Sequence, residues 1–350
     1  MKDIKVIMAT TSFTSVLNKV LNRTILEKII FLCFFVFTCL LAILNLRNNP
    51  RSWMDEGSTL LLARTLAENG IYAIRNSDGY LTFGAVQSVG PTVILPIALS
   101  FKIFGVGLVQ GRLVMAFYLI MTVFVFYKLA SKLFNSSTAF FSSITLLSSK
   151  AASLLHYGRQ ALGEVPALGL FLCGCWIWSN SVAAKKGLRF KDAVFVGLLF
   201  GLAIITKSQY LIFCIAALGA IAILDILYFR QGYFKWVLLV SLTVLLSILL
   251  WWLWQLNYFG LQTFQENIEK LGELARNTSG FDLQTSKESI RFIIGNDSGY
   301  FTYFWGFAAL VYGILVSLGR SQRNLIIPFL TLVMIFCVSY FIAWSIPWPP

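Results

Sequence analysis

Charge is what this sequence has least of. Of its 350 residues only 12% are Asp, Glu, Lys or Arg, against roughly 25% in a soluble domain. Such a chain cannot cover a water-facing surface of its own size. That excludes a soluble cofactor enzyme, a disordered regulator and a coiled coil. Histidine is nearly missing, with His156 the single one, and zinc-ligand spacing is missing with it. The six cysteines, Cys33, Cys39, Cys173, Cys175, Cys214 and Cys337, lie in apolar runs and form no C-x-x-C pair. They read as small buried hydrophobes, which argues against a secreted disulfide scaffold. There is no glycine-rich phosphate loop after a strand, no Ser-His-Asp set, no internal repeat and no low-complexity tract. Acids are scarcer than bases, 15 against 28, for a formal charge of +13.

What is present is apolar surface. Hydrophobic residues make up 58% of the chain and the mean hydropathy is +0.77. The fold class is all-α, a polytopic transmembrane helical protein with about nine spans. Runs long enough to cross a bilayer are Ile29–Leu46, Gln110–Ala130, Thr138–Leu155, Pro166–Ala184, Ala193–Thr206, Gln209–Phe229, Trp236–Leu256, Phe301–Leu318 and Leu325–Ile346. The Ala193–Thr206 run is short for a span. Lys2, Lys5, Lys19, Arg23 and Lys28 precede the first run and no cleavage site follows, so it reads as a signal anchor.

Pro91–Gly105 is ambiguous, and basic residues decide it. If it does not span, ten basic residues fall on the N-terminal side: Lys128, Lys132, Lys185, Lys186, Arg189, Lys191, Arg230, Lys235, Arg320 and Arg323. Only Asp192 and Asp225 join them there. The long loops 47–109 and 257–300 fall on the other side with nine bases and ten acids. The positive-inside rule then makes Pro91–Gly105 a helix lying along the outer face, with the N-terminus inside and the C-terminus outside. Residues 1–28 form a cytoplasmic segment. Loop 47–109 carries an amphipathic helix at Gly57–Glu68, a turn region at Asn69–Gly79 and the surface helix after Pro91. Loop 257–300 carries a helix near Thr263–Arg276. Trp251, Trp252 and Trp254 read as interfacial anchors.

Five charges remain at the ends of spans, all near the outer face: Arg112, Lys150, Arg159, Glu164 and Lys207. An ionisable group in the membrane costs about 2.5–3.5 kcal/mol on insertion scales, so each is a functional candidate. Snorkelling to headgroups is the alternative. Asp55 and Glu56 offer two readings. Asp55 can cap the following helix while Glu56 favours its positive end. Alternatively, two adjacent carboxylates at the membrane surface can take a proton and orient a substrate or hold a metal. Glu164, just before Pro166, fits a helix N-terminus as well. Arg112 and Arg159 can each grip a phosphate with two hydrogen bonds, and Lys207 adds a point charge. Acids facing an acceptor and cations facing a lipid phosphate make a layout for group transfer. His156, with no partner at metal or catalytic spacing, reads as a structural residue.

In this order along the chain, Asp55-Glu56, Ser88-Val89-Gly90-Pro91, Phe104-Gly105, Gly111-Arg112-Leu113, the stretch Tyr157–Pro166 with Arg159 and Glu164, and Thr206-Lys207 resemble the GT-C glycosyltransferases. The resemblance is to the protein O-mannosyltransferase and aminoarabinose-transferase group, and it covers roughly residues 29–210. It implies a catalytic module over 29–210 and C-terminal transmembrane helices over 211–350. It also implies a polyprenyl-phosphate-linked sugar as donor and a protein, lipid or glycan acceptor. Transfer would take place with inversion at the outer face of a bacterial inner membrane. By that likeness Asp55 is the catalytic base. Glu56 and Glu164 orient the acceptor, or join Asp55 on a divalent metal where a family member uses one. Arg112, Arg159 and Lys207 steady the departing phosphate; cations can replace a general acid there. Family members usually continue with more spans and often an outer domain, so a chain ending at Trp348-Pro349-Pro350 is expected to be a short form or a truncation. The rival class, a transporter or flippase for a lipid-linked anion, calls for broken mid-membrane helices and inverted repeats, and neither is evident.

Overall fold

The structure, a computed structural model, describes residues 25, 27–133, 135–148, 153–183, 189–226 and 232–278. The expected spans Phe301–Leu318 and Leu325–Ile346, together with Lys150 and Cys337, lie outside the described residues. The first long helix, α1 (27–43), is apolar on most of its surface. Phe37, Leu40 and Ile43 on it are each at least half exposed. The same holds on α11 (Phe234–Phe259), where Leu242, Leu245, Leu246, Leu249 and Leu250 are exposed. Bands of this size are not left facing water; they fit hydrocarbon, where a helix satisfies its own backbone. α11 and α5 (Leu108–Leu133) have 26 residues each. At 1.5 Å per residue each is about 39 Å long, against about 30 Å of bilayer core. By length and composition they are the two candidate spans among the described residues.

The other apolar runs form shorter helices: α6 (Ser136–Ser148), α8 (Glu164–Ala183), α9 (Phe190–Thr206) and α10 (Tyr210–Leu224). The expected Thr138–Leu155 run is not one continuous helix: α6 is described as far as Ser148, and the single turn α7 (Leu154–Tyr157) begins after Ser153. Ser153, at positive φ, caps that turn. α8, α9, α10 and α11 pack around one core that includes Phe171, Phe200, Cys214 and Val240. A second core joins α1, α5, α6 and α7 through Phe34, Leu119, Leu147 and Leu154. Lys132 Nζ donates to Ser179 O at 2.9 Å, tying the end of α5 to the end of α8.

A third core belongs to the first long loop. It is built from α2 (Met54–Asn69), a hairpin of β1 (Ile74–Asn76) and β2 (Gly79–Leu81), α3 (Ala85–Ser88) and α4 (Pro91–Phe104). The hairpin is antiparallel, with Ile74 opposite Leu81, where a plain turn region was expected. α2 starts three residues before the expected Gly57, its cap position is Trp53, and no side chain caps it. Asp55 is therefore inside the first turn and does not act as the N-cap. α4 has 14 residues, about 21 Å, too short to cross. It buries Val93, Ile94, Ile97 and Phe101 against α2 and α5, and exposes Leu95, Leu99, Ile103 and Phe104 along the other side. A two-sided apolar helix of this length suits the membrane surface.

α12 (Leu261–Thr278) follows α11 after Gly260 at positive φ and rests on the hairpin side, where Asn267 Nδ2 donates to Thr82 O at 3.3 Å. Trp251 and Trp254 stack at 4.9 Å and Trp254 stacks on Tyr258 at 4.9 Å. Tyr72 meets Trp251 and Trp254 edge-on, and its N–H donates to Tyr258 Oη at 2.9 Å. These tryptophans thus fasten the loop module to α11 as well as sitting near the end of that helix. Burial pushes the Tyr72 phenol well above its ordinary range. Of the five described cysteines, Cys175 and Cys214 are buried as expected, but Cys33 is exposed.

Candidate functional site

The charged residues singled out in the sequence gather where the loop module meets the ends of α1, α5, α8 and α9. Glu56 points inward from the first turn of α2 and is fully buried, as is Arg112 at the start of α5. Arg112 Nε donates to Glu56 Oε1 at 2.7 Å and Nη2 to Oε2 at 2.6 Å. Its Nη1 donates to the carbonyls of Leu46 at 2.6 Å and Pro50 at 2.9 Å, and Nη2 reaches Ser52 Oγ at 3.5 Å. The five N–H groups of a guanidinium thus all face acceptors of the chain itself. The expectation that Arg112 grips the donor phosphate meets a guanidinium already occupied. Glu56 is occupied too: Oε1 also accepts the N–H of Ala161 at 3.2 Å. Its carboxylate joins α2, α5 and the turn before α8, which is a positioning role.

Asp55, one residue earlier, faces the other way and is exposed, between exposed Met54 and buried Glu56. Only its backbone carbonyl is engaged, by Thr59 Oγ1 at 2.9 Å. The three acids proposed for a metal therefore do not converge. Among the described residues no group of three His, Cys, Asp or Glu side chains could hold one. Glu56 could ligate only by abandoning Arg112, so the residues present do not fit a metal on these acids, and no step is drawn through one.

Arg159 lies in the turn between α7 and α8, 5% exposed. Its Nη2 donates to Leu44 O, and its Nε is buried with no acceptor among the described residues. Desolvation, and then the neighbouring Arg112 guanidinium, hold its pKa below the ordinary arginine value. Among the described residues no carboxylate is paired with it. It lines a cleft of about 430 Å³ together with Asn49, Pro50, Ser153, His156 and Tyr157. The adjoining Gln160 Nε2 donates to Arg51 O at 2.8 Å, clipping the same turn to the linker after α1.

Glu164 and Lys207 find each other. Lys207 Nζ lies 2.8 Å from Glu164 Oε1, with the side chains 19% and 43% exposed respectively. Lys207 is carried there by a close backbone contact. Gly90 N–H donates to Thr206 O at 3.1 Å, and a Cβ on Gly90 would sit 2.1 Å from the carbonyl oxygen of Ile205. Thr92 and Thr206 share a short hydroxyl–hydroxyl hydrogen bond, and Tyr118 Oη donates to Thr92 O at 2.6 Å. The Gly90-Pro91 motif therefore docks the loop module onto the end of α9. Two acids and two cations pair with one another, Glu56 with Arg112 and Glu164 with Lys207, while no such pair is seen for Asp55 or Arg159 among the described residues. The sequence reading set aside His156, which is exposed and lines the cleft beside Arg159; its place three residues before Arg159 was the available signal.

A bundle of apolar helices carrying a surface module with α4 laid along it, and buried charges at the junction, defines a polytopic helical membrane protein. Residues 88–254 match the family model for dolichyl-phosphate-mannose-protein mannosyltransferase. The chain is similar to ArnT from Cupriavidus metallidurans bound to undecaprenyl phosphate, at 17% identity and TM-score 0.57, covering 91% of this chain and 56% of that one. It is also similar to apo ArnT, at 18% identity and TM-score 0.51, covering 87% and 58%. A third likeness is to the Archaeoglobus fulgidus oligosaccharyltransferase tethered to an acceptor peptide, at 15% identity and TM-score 0.51, covering 90% and 48%. Comparison with curated proteins gave no match. The fold is that of the ArnT structures, and the family match extends over residues 88–254 of it. The chain spans little more than half the length of the ArnT structures it matches.

Proposed function

We propose that this protein transfers a sugar from a polyprenyl-phosphate carrier to a hydroxyl or amine acceptor at the outer face of a bacterial inner membrane, with inversion. Arg159 carries the proposal: a buried guanidinium with an unmatched Nε, lining an open cleft, is a site waiting for an anion. The linker after α1 and the end of α6 line that cleft, and both helices carry exposed apolar residues, Phe37 and Leu40 on α1 and Phe141 and Ile144 on α6. They give a polyprenyl tail lateral access.

In the proposed reaction Asp55 takes the acceptor proton as the acceptor attacks the anomeric carbon from the face opposite the phosphate. The anomeric C–O bond breaks and its electron pair stays on the phosphate oxygen. Arg159 offsets that charge, and Lys207 turns from Glu164 to assist. Glu56 and Arg112 fix the start of α2 and thereby the position of Asp55. Nine spans with the N-terminus inside and the C-terminus outside put Asp55, Arg159 and Lys207 at the outer face; Lys128, Lys132, Arg189, Lys191 and Lys235 fall at the other ends of α5, α9 and α11, as the positive-inside rule asks.

The test is transfer in liposomes with radiolabelled polyprenyl-phosphate sugars and a membrane extract as acceptor source. Wild type should move label, and Asp55→Asn should be slower by about 100-fold or more. Equal rates would remove Asp55 from the base role. Folded protein that transfers from no donor would overturn the reaction.

A further inference from the structure

His156 sits on the single turn α7, with its ring exposed on the wall of the cleft that Arg159 lines from below. We infer that His156 is a second ligand of the lipid phosphate and separates the product from the donor by charge. The inference rests on the donor reading above.

The chemistry starts from the two lipids. The donor is a phosphodiester with one negative charge. Once the sugar leaves with its anomeric carbon, the electron pair of the broken C–O bond stays behind, and the lipid phosphate becomes a monoester. A monoester binds a second proton only below about pH 6, so at neutral pH it carries nearly two charges. Arg159 supplies a fixed positive charge for the first. A histidine is the side chain that changes charge between about pH 5 and 8, and it can meet the second charge by taking up a proton.

The surroundings allow this. Among the described residues lining the cleft, the groups facing His156 that carry charge or titrate are Arg159 and Tyr157, whose ring meets the imidazole edge-on at 5.4 Å. The linker after α1 offers Asn49 and Pro50, and α6 offers Leu147 and Ser148. Among the described residues no carboxylate lines the cleft. A doubly charged phosphate held in the cleft meets both Arg159 and His156, which line it. His156 therefore binds the product more tightly than the donor and sets how readily the spent carrier leaves.

The experiment is titration calorimetry on the full chain in detergent at pH 7.5, in buffers of different ionisation enthalpy. The probes are geranyl phosphate as monoester, methyl geranyl phosphate as diester, and inorganic phosphate. Wild type should take up about one proton with the monoester and close to none with the diester, because only the monoester leaves a site to protonate. His156→Gln should lose the proton uptake and weaken monoester binding by about tenfold or more, the worth of a charge-assisted hydrogen bond, with diester binding changed less than about twofold. His156→Arg should keep monoester affinity and still take up no proton. Inorganic phosphate should bind weakly, and affinity equal to geranyl phosphate would mean a free-anion site and overturn the lipid assignment. Monoester binding without proton uptake, or unchanged in His156→Gln, would overturn the role of His156 and leave the donor reading standing. A wild type that binds neither geranyl lipid would overturn both.

Discussion

Glu56–Arg112 and Glu164–Lys207 are both acid–base pairs at the same end of the helices, yet they are built in opposite ways. The first is fully buried, held by two parallel hydrogen bonds, and its guanidinium also closes over two backbone carbonyls. The second is a single contact, with Lys207 19% and Glu164 43% exposed, and Glu164 keeps one buried oxygen unpartnered among the described residues. A buried pair cannot be opened cheaply, because whichever charge is left behind has no water to turn to. A partly exposed pair exchanges partners at lower cost. In the proposed reaction the two pairs divide the work: Glu56–Arg112 sets the architecture that aims Asp55, and Glu164–Lys207 keeps a cation in reserve for a ligand.

The sharpest way to break this contrast is Arg112→Met. It should destabilise the protein by about 3–5 kcal/mol by stranding Glu56, read as a lowered melting temperature in detergent. Adding Glu56→Met should recover part of that loss, since the remaining charge is gone. If the single substitution melts like wild type, the buried pair is not the keystone. Gly90→Ala comes next. Its methyl would press on the Ile205 carbonyl, and overpacking of this kind costs about 1–3 kcal/mol; proteolysis should show the loop module loosened from α9. Lys207→Met should cost less than about 1 kcal/mol in stability while raising the donor KM about tenfold. The reverse pattern, a large melting shift with an unchanged KM, would make this pair architectural too. Smallest of all, Glu68→Ala on α2 removes a solvent-exposed i,i+4 bridge to Arg64, worth about 0.3–0.5 kcal/mol, with no effect on transfer.

Hydropathy and charge pattern made much of the fold legible. The apolar runs over the described residues became helices. The charge count that laid Pro91–Gly105 along the surface agrees with a 14-residue helix apolar on both sides. The hairpin at 74–81 turns at Ser77-Asp78, but its strands are only three residues each and sit in a polar loop. The site was half legible. An arginine at the mouth of an apolar run looks the same in sequence whether it meets a phosphate or a carboxylate 56 residues earlier. Pairing is a property of tertiary packing, and no local period carries it. Asp55 and Glu56 likewise read as equals in a string of letters. The helix separates them, because adjacent residues on an α-helix point in different directions.

That separation turns the ion pair into an angular reference. A helix turns by about 100° per residue, so locking Glu56 into Arg112 fixes the azimuth of every neighbour on the first turn of α2. Asp55 needs no contact of its own to be aimed; its heading is inherited. A residue inserted between Asp55 and Glu56 would leave the buried bridge intact and swing the Asp55 carboxylate about another 100° around the helix axis. The protein would keep its fold and lose its aim.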